Sequence, residues 1–383
     1  MNHEISAIIG IGTAVPDYRL EQDETAHRLA QALHAYPDSA RWAKRLFKQC
    51  GVKTRYTCEP NLLEPSDSCR YFSLAANHLV PTTKERMAMY KQQSVPIAFR
   101  AAQKALKDSQ IQSSEITHLI TVSCTGQFLP GLDTLLVKEL GLRETVNRIP
   151  LNFLGCAAGL KAICLSKELI QHDRHAKVLI VTVELCTLHI QPSTAREALF
   201  GASFFGDGAS ACVVASSMAG SRPASFELGT SHSVLLPGCA EEMVWEVGNY
   251  GFDLYLSTKI PKLIREFIPE QIERLQGSDA LPSLWAIHPG GKGIIDVLEE
   301  VYSLDKEQTG PSRTILERYG NMSSATILFV LDEMRKQLIN NLADKTSGIA
   351  LAFGPGLTCE MIQISYIPAA ASAIAELKDE TYA

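Results

Sequence analysis

The chain has 383 residues, 46% hydrophobic and 20% charged, with a formal net charge of -6. That length holds one large domain or two of ordinary size around a substantial core, and the negative balance argues against general nucleic-acid affinity while leaving room for local basic patches. No apolar run reaches the roughly 18 residues of a membrane span, residues 1–5 lack the basic and apolar regions of a signal peptide, and none of the ten cysteines forms a C-x-x-C pair, which disfavours a zinc site. A cytosolic chain with reduced thiols is expected.

Strands and helices alternate along the chain. Residues 5–12 read as a strand that turns at Thr13-Ala14-Val15-Pro16. Helices are expected over about 22–33 and 39–49. The second carries Arg41, Lys44, Arg45 and Lys48 close together, a cluster that suits either a solvated face or phosphate groups. An amphipathic helix over 96–107, a buried strand over 118–124, a buried helix over about 156–171 and buried strands over 178–183 and 209–215 follow. The small, polar stretch 216–225 marks an internal boundary, dividing the chain into 1–220 and 221–383. Beyond it come a helix over 256–275, a strand over 283–288, a helix over 321–338 and a strand over 348–353. Each half holds a buried strand, a Gly-containing loop and a helix that opens with small residues, Gly155-Cys156-Ala157-Ala158 in one and Gly320-Asn321-Met322-Ser323-Ser324 in the other. This pattern predicts a layered α/β fold built by structural duplication, with the two helix starts near each other at the centre.

Three residues stand out against that frame. Cys156 lies among glycines and alanines at a helix start, where free N–H groups and the helix dipole favour thiolate. A buried structural cysteine is the competing reading. His288 closes a buried strand before Pro289-Gly290-Gly291, a place where α/β proteins put their chemistry, although a hydrogen-bonded turn histidine would look the same. Asn321 at a helix mouth reads first as an N-cap.

The constellation of Cys156, His288 and Asn321 resembles that of the type III polyketide synthases, the chalcone synthase family of the thiolase-fold superfamily. The resemblance runs from Ile9-Gly10-Ile11-Gly12-Thr13-Ala14-Val15-Pro16 to Phe353-Gly354-Pro355-Gly356-Leu357-Thr358. It includes Gly155-Cys156 with Ala158-Gly159, Phe204-Phe205-Gly206-Asp207-Gly208, Ile287-His288-Pro289-Gly290-Gly291 and Tyr319-Gly320-Asn321-Met322-Ser323-Ser324-Ala325.

What the resemblance implies is specific. The fold would be thiolase-like, αβαβα in layers. Cys156 would take an acyl group from coenzyme A, and His288 would hold it as thiolate. His288 and Asn321 would stabilise both the oxyanion and the enolate formed when malonyl-CoA loses carbon dioxide. No metal or redox cofactor is required, since the substrates are coenzyme A thioesters. Repeated extension and cyclisation would give a pyrone, a resorcinol or a related aromatic product. The protein would be a homodimer, without nucleic-acid or membrane partners.

Other positions carry over residue by residue. Phe205 and Phe252 match gatekeeper phenylalanines. Arg45, with Lys44 and Lys48 beside it, matches a basic contact to coenzyme A, with Gln49 in place of a family lysine. Cys124, Cys186, His189 and Ser323 fall at cavity-lining positions, and Leu129 at one that reaches into the partner's cavity. Gly354 and Pro355 belong to the G-F-G-P-G loop, whose first glycine is here Ala352. The segment 242–245 would form the wall that sets chain length. Cys124 stands where plant enzymes carry threonine, which looks like the bacterial-type branch; it is either a second thiol or a small wall residue. His189 either narrows the cavity or binds a ketone oxygen, unless its ring turns away to bond the backbone.

The nearest alternative is an enzyme like ketoacyl-ACP synthase III, with the same Cys-His-Asn set and a single condensation. A thiolase would need a second catalytic cysteine, for which Cys359 is the candidate. A non-catalytic acyl-CoA-binding protein would not need the reactive set.

Overall fold

The structure, a computed structural model, describes residues 5–74, 79–217, 224–277 and 280–369. The N-terminal reading of residues 1–4 and the core of the 216–225 boundary, with the 220/221 division, lie outside the described residues.

In the first part of the chain, strands β1 (Ile5–Ala14), β2 (Tyr18–Glu21), β3 (Thr54–Thr57), β4 (His118–Ser123), β5 (Asn147–Asn152), β6 (Lys177–Leu185) and β7 (Asp207–Ser217) are joined by helices α1 (Gln22–Ala32), α2 (Pro37–Gln49), α3 (Thr83–Ser109), α4 (Leu132–Glu139), α5 (Ala158–His172) and α6 (Arg196–Phe204). The rest contributes β8 (Ser225–Leu235), β9 (Met243–Gly248), β10 (Gly251–Leu256), β11 (Leu284–Ile287), β12 (Thr346–Gly354) and β13 (Thr358–Ile367), with α7 (Ile260–Gln276), α8 (Lys292–Tyr302), α9 (Lys306–Tyr319) and α10 (Thr326–Asn340).

Nine strands join in the order β11-β12-β13-β8-β1-β7-β6-β4-β5. Read outward from the β1–β8 contact, the two sides repeat. β1, β7, β6 and β4 on one side correspond to β8, β13, β12 and β11 on the other, and in each the last two run parallel. The helix that precedes β6 is α5, and the one that precedes β12 is α10. The duplication expected from the chain is therefore present in the strand order.

Side chains alternate across the pleat and so sort into layers. Leu119 and Leu179 pack outward with α3 and α4. Ile120 and Ile180 face inward, as do Ala286 and Ala350 of the other side, and all four meet α5 and α10 between them. Ile349, Leu351 and Trp285 face outward again onto α7, α8 and α9. The result is helices, one half of the sheet, two central helices, the other half of the sheet and helices, the layered arrangement expected.

Four helix starts differ from the sequence expectation. α3 begins at Thr83, well before Pro96, because Thr82 and Glu85 form a capping box. Pro96 stays inside the helix despite a usual cost of about 3 kcal/mol. Close packing on β1 offsets this: a Cβ on Gly10 or Gly12 would overlap the helix backbone at Ser109 or Ala101. α7 begins at Ile260, not 256, because Leu256 ends β10. The helices expected from Cys156 and from Asn321 each start later, after a 3-10 turn, Gly155–Ala157 and Ser323–Ala325.

Candidate active site

The nucleophile candidate sits on a turn made by two positive-φ residues, Phe153 (φ 59) and Gly155 (φ 66). A Cβ on Gly155 would overlap the ring of Pro355, so the Cys156 turn is pressed directly against the Gly354-Pro355 loop. Behind it Gly159 lies against the backbone of Ser324, where α5 meets the turn leading into α10. Two helix starts from opposite sides of the duplication thus touch next to Cys156.

Asn321 reaches the same place from α9. Its backbone N–H donates to Phe204 O (2.9 Å), and its carbonyl accepts from Gly206 N–H (3.0 Å), so it is tied to both neighbours of Phe205. The side chain divides its work. Oδ1 accepts from Ser323 N–H (2.8 Å), while Nδ2 faces Gly290 O (3.3 Å) and Cys156 Sγ (3.9 Å). The N-cap reading needs correction: Met322 is the N-cap of the Ser323–Ala325 turn, and Asn321 holds the start of that turn from one residue before it.

His288 follows β11, its N–H pairing with Leu351 O (2.9 Å). The ring is fully buried and packs behind Gly290, whose Cα region abuts its Cδ2–Nε2 edge. Among the described residues neither ring nitrogen has a hydrogen-bond partner.

Electrostatics favour neutral groups. Burial pushes the Cys156 thiol up to about 11, with Ser323 pulling it down, the Glu184 carboxylate raising it further and Asn321 pulling it down. Burial holds the His288 imidazole down at about 3. In this geometry no hydrogen bond joins Sγ to the ring, and burial disfavours both charges of the thiolate–imidazolium pair that the resemblance implies.

A carboxylate that the sequence reading overlooked organises the floor of the site. Glu184 is fully buried at the end of β6. It accepts from Thr125 Oγ1 (2.6 Å), Cys124 N–H (3.1 Å) and Ser324 Oγ. Burial raises its pKa, against the pull of these donors. The signal was available: a lone charged residue ends the apolar run Val178-Leu179-Ile180-Val181-Thr182-Val183. Cys124 lies 3.1 Å from Ser323 Oγ and 3.4 Å from Glu184 Oε1. Burial and the Glu184 charge push its thiol up, which suits a protonated wall residue.

Cys156 and Asn321 open on a cavity of about 90 Å³ whose lining includes Cys124, Phe205, Ser323, Pro355, Met243, Val244 and Trp245. The 242–245 segment is thus at the wall, apart from Glu242. A second cavity, about 270 Å³, is lined by Cys186, His189, Gly201 and Phe252 among others, and it shares Phe205, Trp245 and Leu254 with the first. Phe205 stacks on Phe204 (centroids 4.4 Å apart), and Trp245 meets Phe205 edge-on at 5.9 Å. Aromatic side chains therefore form the partition.

His189 requires a correction. Its Nε2–H donates to Thr125 O (2.7 Å), and its Nδ1 accepts from Phe252 N–H (3.0 Å). Both nitrogens are occupied by backbone, so none remains for a ketone oxygen; the ring still contributes bulk to the second cavity. Lys44, Arg45 and Lys48 lie exposed on α2, with Arg45 Nε donating to Gln49 Oε1 (3.3 Å), and none of the three lines either cavity. Leu129 is 92% exposed and lines neither. Gly354 and Pro355 back the Cys156 turn. Cys359 is buried in the outer layer with Ile349 and Trp285 and lines neither cavity.

Comparison with known proteins agrees with this architecture. Residues 1–218 match the N-terminal domain of chalcone and stilbene synthases, and residues 227–368 the C-terminal domain. "Probable polyketide synthase 1" of Dictyostelium discoideum is 29% identical over 364 residues, which is 93% of this chain and 11% of that much longer protein. The solved structure of the C-terminal type III polyketide synthase domain of Steely1, a type I/III hybrid from Dictyostelium, is 27% identical and matches with a TM-score of 0.85, covering 95% of this chain and 99% of that one.

Proposed function

The chain belongs to the chalcone and stilbene synthase family, and from that premise we propose that it is a type III polyketide synthase acting on coenzyme A thioesters. The observation that carries this reading is the Asn321 amide directed at Cys156 Sγ and Gly290 O, at the edge of an apolar cavity with His288 directly behind.

In this reading Cys156 Sγ attacks the starter thioester. Its proton passes to His288, whose ring nitrogens are otherwise unengaged, and coenzyme A departs as the thiol. The oxyanion accepts from Asn321 Nδ2 and from the protonated His288. The same donors then hold the thioester carbonyl of malonyl-CoA. The bond to the free carboxylate breaks, carbon dioxide leaves, and the electron pair becomes an enolate on that carbonyl. The enolate carbon attacks acyl-Cys156 and expels the thiolate, leaving a chain two carbons longer on coenzyme A. Transfer back to Cys156 begins the next round, and cyclisation ends in a pyrone, a resorcinol or a related aromatic. The Phe205 and Trp245 partition, with Phe252 beside it, keeps water from the enolate and orients the malonyl group. Cys124, Cys186, Ser323, Gly354 and Pro355 shape the space for the growing chain.

The cations Lys44, Arg45 and Lys48 would meet the coenzyme A phosphates at the surface. The exposed Leu129 supports a homodimer in which it enters the partner's cavity. Among the described residues no helix is long and apolar enough to cross a membrane, and we place the reaction in the cytoplasm.

Covalent loading tests the reading. After brief incubation with an acyl-CoA, mass spectrometry should find one acyl group on the Cys156 peptide, and Cys156→Ala should carry none while still releasing carbon dioxide from malonyl-CoA. Loading on another residue, or a Cys156→Ala variant that still makes product at the wild-type rate, would overturn it.

A further inference from the structure

We infer that His189 is a positioning residue for this reaction, fixing Phe252 and the β9–β10 hairpin against the floor of the active site. The inference rests on the proposed reading, in which the hairpin's Phe252, Trp245 and Leu254 shape the space where malonyl-CoA reacts.

The turn end of the hairpin is held by side-chain hydrogen bonds. Gly251 N–H donates to Thr83 Oγ1 (2.9 Å), and Gln191 Nε2 donates to Asp253 Oδ1 (2.9 Å). Gly251, at φ 117, holds a conformation that side chains rarely adopt, and a Cβ there would sit tightly, 3.3 Å from both Arg86 Cδ and His189 Nδ1. Of these anchors His189 is the one that continues inward. Its ring stacks on Phe252 with centroids 4.2 Å apart and 15° between planes. Its Nδ1 takes the Phe252 N–H, and its Nε2–H reaches Thr125 O. Thr125 in turn donates through Oγ1 to Glu184, and Glu184 holds Cys124 N–H and Ser324 Oγ. An unbroken series of buried hydrogen bonds therefore runs from the cavity wall to the strand end and helix start that flank Cys156.

The imidazole matters here as a rigid two-ended connector. Its two nitrogens lie on opposite sides of a flat ring, so one tautomer can accept from one backbone and donate to another. A threonine or serine hydroxyl is too short to span both. Loss of the connector would leave Phe252 N–H and Thr125 O unpaired in a buried place, and the hairpin would relax to find other partners. A looser wall admits water and misplaces the malonyl group, so decarboxylation would continue while condensation suffers.

The test separates this from a role in cavity volume alone. His189→Phe keeps a ring of similar size and the stacking, but loses both hydrogen bonds. His189→Ala loses ring and bonds, and His189→Gln keeps a donor and an acceptor. The readout is acetyl-CoA released per malonyl unit built into product, with the malonyl-CoA KM and the rate of Cys156 acylation measured beside it. In His189→Phe the ratio and the KM should each rise by about 10-fold, the effect of losing one net hydrogen bond or slightly more; acylation should be unchanged and His189→Gln should fall between. Wild-type coupling in His189→Phe, with longer products in His189→Ala, would show a volume effect and overturn the inference. Absence of loading and decarboxylation in the unmodified protein would instead refute the proposed function. Hydrogen exchange at the Phe252 amide of the unmodified protein gives a check independent of how variants fold: protection is expected, and exchange as fast as in an open loop would overturn the connector.

Discussion

At the scale of single residues, burial disfavours the charged form of Cys156. With the thiol pushed up to about 11, the neutral form is favoured at every pH below that value. Alkylation of Cys156 by iodoacetamide, followed on its own peptide, should therefore keep accelerating with pH beyond 9, the ordinary thiol value. A plateau already reached below pH 7 would show a preformed thiolate–imidazolium pair and contradict this account. Asn321 allows a second test. Its amide nitrogen serves the site and its oxygen serves the Ser323–Ala325 turn, so Asn321→Ala removes both. Loss of an oxyanion donor costs about 2.7–4 kcal/mol, and malonyl-CoA decarboxylation should fall by about 100-fold or more. Loss of the bond to Ser323 N–H costs about 1 kcal/mol, which lowers the melting temperature. Asn321→Asp keeps the accepting oxygen and should restore the melting temperature without restoring decarboxylation. If both recover in Asn321→Asp, the amide has no electrostatic role.

At the scale of elements, the site depends on how tightly one turn is pressed on another. Gly155→Ala should disturb this directly. The positive φ adds about 1–2 kcal/mol, and overlap with Pro355 adds about 1–3 kcal/mol of packing strain. We expect a lower melting temperature and slower acylation of Cys156, measured on the same preparation. A fully stable, fully active Gly155→Ala would mean that the turn and the Gly354-Pro355 loop are not in contact. Much of this level was legible in advance. The buried strands announce themselves as unbroken apolar runs, Cys156 and Asn321 were expected at helix starts, and His288 at a strand end. The hairpin β9–β10 was not read, because its side chains are half-buried in no regular alternation and its partners are remote: Thr83, Arg86, His189 and Gln191. The burial that pushes the Cys156 thiol up was also invisible, since it comes from both sides of the duplication while a local reading weighs only the helix dipole.

At the scale of the whole molecule, the duplication explains why the site sits where it does. Each side contributes a central helix, α5 or α10, and the small residues that open them allow the two starts to touch. His288, after β11, stands at the position that Cys124 occupies after β4 in the corresponding strand pair. The repeated pattern therefore places the reactive set at the pseudosymmetric centre, where neither side could build it alone. Such a site can run one condensation or several, and the central claim is that it runs several on Cys156 before release. The most direct measurement is the stoichiometry of a single incubation with an acyl-CoA and labelled malonyl-CoA, counting carbon dioxide and free coenzyme A against product. The account predicts two or more molecules of carbon dioxide per molecule of a cyclised product, with the product lost in Cys156→Ala while carbon dioxide is still released from malonyl-CoA. One carbon dioxide per linear ketoacyl product would contradict it.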